Sequence, residues 1–149
     1  MRFSDFFTGQ KIQAGPYHVT TAEISQFAHS FDPQWFHVDE TAAARGHFGS
    51  LIASGWHTCA IAMRLVVDAA LIDSESFASP GLDYVTWMHP VKGGDALYLI
   101  AEVIECRRSK KNETLGVLRW RWRMHDQHSM EVLDLVATSL FRLDVEGSA

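Results

Sequence analysis

Residues 55–72, GWHTCAIAMRLVVDAALI, carry the strongest helical pattern in the chain, with Arg64 and Asp68 spaced to pair one turn apart. At the α-helical rise the run from Gly55 to Ile72 makes a helix roughly 27 Å long. Small or apolar residues fall on nearly every side of it, at Ala60, Ile61, Ala62, Met63, Leu65, Val66 and Val67, so it is expected to lie buried on most sides. A helix of that character needs a layer to pack against.

That layer is legible after Pro80, where the apolar period changes to two. Leu82 to His89, Ala96 to Cys106, Leu115 to Met124 and Glu131 to Leu143 read as strands. They are separated by turn chemistry at Lys92-Gly93-Gly94-Asp95, Lys110-Lys111-Asn112 and Asp126-Gln127-His128. Upstream of Gly55, Thr20 followed by Glu23 fits a capping box, and a helix is expected from Thr21 to Ser30, ended by Pro33. Asp39 caps a shorter helix over Glu40 to Arg45, and Gly46, Gly49 and Ser50 mark a loop. The expected class is α+β, with an antiparallel sheet wrapped around one long central helix.

The chain has 149 residues, 47% of them hydrophobic, which suits one domain over 1–149 with a core that needs no staples. Its two cysteines are not a disulfide framework, so a reducing, cytoplasmic setting is expected. The start, MRFSDFFTGQ, does not read as a signal peptide, and the apolar run from Cys59 to Ile72 is broken by Arg64 and Asp68 and too short to span a bilayer. The net charge of −5 and a pI of about 5.8 argue against nucleic acid or an anionic membrane as partner. Arg119-Trp120-Arg121-Trp122-Arg123 looks basic and aromatic, but strand alternation sends the tryptophans inward and the arginines to the other face. The basic run Arg107 to Lys111 reads equally as a contact for phosphates or as a charged hairpin end.

Two stretches carry chemistry. In residues 31–40, FDPQWFHVDE, a turn forced by Pro33 allows Asp32 and His37 to converge on one small volume, as acid–base work requires. In residues 51–58, LIASGWHT, Gly55 stands at the start of the long helix, where backbone amides are unpaired and the dipole is positive. A carbonyl docked on the Gly55 amide would be polarised there.

These two stretches, taken in order with Pro90-Val91-Lys92-Gly93-Gly94-Asp95-Ala96-Leu97, resemble the MaoC-like dehydratase family, specifically its short (R)-specific enoyl-CoA hydratases. The resemblance runs from about Phe7 to Leu143 and implies a hot-dog fold and a homodimer. It implies that Asp32 and His37 hold and activate a water for addition to a 2-enoyl-thioester, most often of coenzyme A, and that the Gly55 amide receives the thioester carbonyl. Trp35, Phe36, Ser54, Trp56 and His57 are then expected to bind the substrate. No cofactor beyond the coenzyme A of the substrate is implied. Two positions depart from the family: Gln34 stands where the hydratases usually carry asparagine, and Met63 stands where they carry a helix serine.

A hot-dog thioesterase, in which water attacks the carbonyl carbon at the same helix start, is the alternative enzyme, and an acyl-thioester-binding subunit is the alternative without catalysis. Asp32, His37, Asp39 and His57 are conceivable metal ligands, but no paired-histidine spacing is present, so no metal is expected. Cys59 reads as a core residue rather than a nucleophile.

Overall fold

The structure, a computed structural model, describes residues 1–143. After a single 3₁₀ turn, β1 spans Lys11–His18 and is followed by α1 (Thr21–Phe31), α2 (Trp35–Val38) and α3 (Glu40–Ala44). The long helix α4 (Gly55–Val66) comes next, then β2 (Ser76–Thr86), β3 (Ala96–Arg108), β4 (Leu115–His125) and β5 (Glu131–Arg142). The five strands form one antiparallel sheet in the order β1-β3-β4-β5-β2.

The sheet and α4 bury one another because their apolar positions keep the right periods. Ile61, Ala62, Leu65 and Val66 of α4 meet an inner sheet face that includes Leu99, Leu118, Trp120, Met124, Leu133 and Leu135. The Trp120 ring is fully buried and its Nε1–H donates to Ser139 Oγ at 3.2 Å, so its polar end is satisfied inside the core. On the outer face two arginines of β4 are matched to carboxylates, one on the adjacent β5 and one on β2 beyond it. Arg119 pairs with Asp83, and Arg121 grips Asp134 with two bonds of 2.9 and 2.6 Å. That pairing occupies the guanidinium groups of Arg119 and Arg121 within the sheet.

Several expected elements differ. The run 55–72 is α-helical only to Val66 and continues as a π-helical turn over Val67–Leu71. Nor is it buried on most sides: Trp56 is 60% exposed and Met63 42%, with Ala60 and Arg64 beside them, because no described element of this chain covers that face. β1 was not expected, since Gly15-Pro16 interrupts its pattern. The strand accommodates them in a bulge between Ala14 and Tyr17, where Gly15 has φ +107° and a Cβ would lie 2.6 Å from the Leu97 carbonyl oxygen. β2 begins before Pro80 and ends at Thr86, whereas Leu82 to His89 was expected. It is an edge strand, where a proline without N–H is tolerated. Among the described residues no helix is long and apolar enough to cross a membrane.

Candidate active site

Thr20 Oγ1 caps α1 by accepting from the Glu23 N–H at 3.2 Å, and the helix stops at Phe31 because Pro33 cannot continue it. Asp32 is left at the helix end in a non-helical conformation, φ −151° and ψ 68°, with its N–H still bonded to the Ala28 carbonyl. One turn of helix, α2, then swings His37 inward until it is 4% exposed. The Ile52 N–H donates to the Phe36 carbonyl and the Ala53 N–H to the Val91 carbonyl, which lays residues 52–53 directly beside that turn.

The result is a pair whose remaining bonds are all assigned. His37 Nδ1 lies 2.6 Å from the Ile52 carbonyl oxygen, an atom that can only accept, so Nδ1 carries a proton. The ring therefore turns Nε2 toward Asp32, 3.2 Å from Oδ2. The same Oδ2 accepts the Ser54 hydroxyl at 2.7 Å, and Oδ1 accepts the Gln34 amide at 2.7 Å. The Ser54 bond, against a smaller opposing effect of burial, together with Gln34 and His37, holds the Asp32 carboxyl below the usual carboxylate range. Asp32 is an anion at neutral pH, oriented at both oxygens.

Ser54 has a second consequence. It is the residue that precedes α4, yet its hydroxyl is spent on Asp32 and makes no cap, so the first-turn amides starting at Gly55 lack a side-chain acceptor. Those donors border the same cleft as the Asp32–His37 pair. The cleft has a volume of about 410 Å³, and Phe36, Ser54, Gly55 and Trp56 line it together with Trp87. The Trp87 indole lies so near Gly55 that a Cβ there would sit 2.5 Å from the ring. Glycine is the residue that leaves the indole room.

Of the residues expected at the site, Asp32, His37, Gly55, Phe36, Ser54 and Trp56 meet in this cleft and two do not. Trp35 sits 51% exposed on the far side of α2, its ring against Gly46. His57 points to the opposite side of α4, because successive helical residues are turned about 100° apart. Its ring stacks on Phe27 at 4.8 Å, with Nε2 3.9 Å from Glu23 Oε1. Burial lowers the His57 pKa, with Glu23 opposing, so the ring is a neutral core group. The four conceivable metal ligands do not gather: Asp39 caps α3 through the Ala42 N–H, and His57 is turned away. Among the described residues no group of three His, Cys, Asp or Glu side chains is placed to hold a metal ion. The basic run 107–111 lies at the hairpin end of β3, roughly 40 Å along the strand from Ala96.

Trp87, Met88 and His89 of the lining went unrecognised in the sequence. They look there like the end of a strand. The signal that separates them is Pro90, which breaks the ladder and sends the chain back across the start of α4.

A long helix held by an antiparallel sheet, with an acid–base pair at the helix start, is a hot-dog protein with a candidate catalytic cleft. The chain belongs to the MaoC-like dehydratase family, whose MaoC like domain matches residues 5–119. It is 33% identical over 134 residues to the uncharacterized protein YdeM of Bacillus subtilis, covering 90% of this chain and 94% of that one. It is 32% identical over 99 residues to 3-hydroxyacyl-thioester dehydratase Z of Mycobacterium tuberculosis, 64% of this chain and 66% of that one. The crystal structure of the MaoC-like dehydratase from Rhodospirillum rubrum superimposes with a TM-score of 0.86 at 33% identity, covering 95% of this chain and 97% of that one.

Proposed function

We propose that the protein is a hydro-lyase that interconverts a 2-enoyl-CoA and a (3R)-hydroxyacyl-CoA through one water held by Asp32 and His37. The observation that carries this reading is the 3.2 Å approach of Asp32 Oδ2 and His37 Nε2, a carboxylate and an imidazole side by side at the edge of the cleft. A water held by hydrogen bonds to both is oriented, and its proton has a nearby acceptor in the carboxylate as its oxygen attacks. In hydration its oxygen bonds to C3 of the enoyl group, the 2,3-double bond is lost, and C2 receives a proton, so that one water is added in all. The charge that passes onto the thioester oxygen in between is met by the unpaired Gly55 amide at the positive end of α4. Dehydration is the same path reversed. The dyad and the water supply every proton, and no further cofactor is needed.

A second copy of the chain is part of this proposal. β2 pairs on one side only, Trp56 and Trp87 of the cleft lining are exposed, and Met63 lies two turns along α4 from Trp56 on the same open face. A homodimer would cover them and close the acyl site.

The test is to incubate the protein with a panel of 2-enoyl-CoA thioesters, following the conjugated double bond and free thiol in parallel. Loss of the double bond without thiol release, by a species that sediments as a dimer, is the expected result. Thiol release without hydration would identify a thioesterase, and silence across the panel a binding subunit.

A further inference from the structure

We propose that a second, apolar pocket behind Phe36 is the binding site for the distal end of the acyl chain, and that the substrates are therefore medium-length, unbranched and uncharged at that end. The inference rests on the hydratase reading for where the chain begins. The pocket has a volume of about 100 Å³ and is lined by Trp35, Phe36, Ala43, Gly46, Phe48 and Ser50, with His47 at its side. Phe36 and Phe48 also line the catalytic cleft, so the two spaces share these two residues as a common boundary. This boundary stands beside the dyad, where the chain leaves C3: the Phe36 ring centroid is 4.3 Å from that of His37. Phe48 is 39% exposed and packs edge-on against His47 at 4.9 Å, and rotamer changes of side chains at the surface are fast.

The pocket is kept open by a small residue. A Cβ on Gly46 would sit 2.8 Å from the Trp35 ring, so glycine lets the indole lie flat as a roof while Ala43 lines the buried side. This gives Trp35, absent from the catalytic cleft, a place in substrate binding. Ser50 Oγ is buried there with no hydrogen-bond partner among the described residues. Replacing that hydroxyl with an apolar group therefore breaks no bond and fills the space.

The experiment compares binding of butanoyl-CoA and octanoyl-CoA, saturated thioesters that cannot be hydrated, by calorimetric titration of the full chain. The wild-type protein is expected to bind the longer chain at least about tenfold more tightly, since each methylene taken from water adds to affinity. Ser50→Leu and, independently, Ala43→Leu are each expected to reduce that ratio to about threefold or less by filling the pocket. No preference in the wild type, or a ratio preserved in either folded variant, overturns the proposal. The readout does not depend on turnover. A preference that Ser50→Leu abolishes in a protein without hydration supports the pocket and defeats the hydratase reading, whereas hydration with a preserved ratio does the reverse.

Discussion

Asp32→Asn is expected to lower enoyl-CoA hydration by about 10²–10⁴-fold, and His37→Ala by a similar factor, the range for losing one positioned acid–base group. The two losses should not multiply in the double variant, because both groups act on one water. Asp32→Asn is the cleaner change. Asparagine keeps the shape and one oxygen for the Ser54 hydroxyl, and removes the charge that Ser54, Gln34 and His37 stabilise. His37→Ala also strands the Ile52 carbonyl oxygen, now bonded to Nδ1 at 2.6 Å, and should cost about 1–3 kcal/mol of stability. Hydration rates measured on variants with wild-type circular dichroism check both. Activity within about tenfold of wild type in Asp32→Asn would remove that carboxylate from the chemistry.

Gly55→Ala is expected to have the next largest effect. The new Cβ would lie 2.5, 2.8 and 2.9 Å from three atoms of the Trp87 indole, closer than real contacts allow. The helix cannot yield, because its first turns are anchored in the core at Thr58, Ile61 and Ala62. The indole must move instead, and it lines the cleft. Displacement of about 1 Å in a site of this kind can cost on the order of 10²-fold in rate, so kcat/KM should fall by about that much while the protein stays folded. Adding Trp87→Ala removes the clash and should recover part of the loss, measured as hydration by single and double variants. A double variant no better than Gly55→Ala would mean that the methyl acts on the amide itself, not through Trp87.

Local signals were readable in this sequence where their physics is local. Thr20, Glu23 and Pro33 delimit α1 because capping and proline chemistry act within a few residues. Asp32 and His37 could be paired on paper because the intervening proline rules out the helix that would separate them. What depends on distant neighbours was not readable. β1 is held by its ladder to β3 despite Gly15-Pro16, and Pro80 is tolerated in β2 only because that strand lies at an edge. The direction of a helical side chain was the other loss. Ser54, Trp56 and His57 are close together in sequence, yet Ser54 clamps Asp32 and Trp56 borders the cleft, while His57 packs against Phe27. Trp87 reaches Gly55 only through the tertiary fold, and no short-range pattern connects them.

The central claim is that water bonded to Asp32 and His37 adds to C3 of the acyl chain and not to its carbonyl carbon. The most direct measurement supplies a 2-enoyl-CoA to the wild-type protein in heavy-oxygen water and locates the label by mass spectrometry. One labelled oxygen is expected in the hydroxyl group at C3, with the thioester intact. Label in a free carboxylate, with coenzyme A released and no hydroxyl formed, would contradict it.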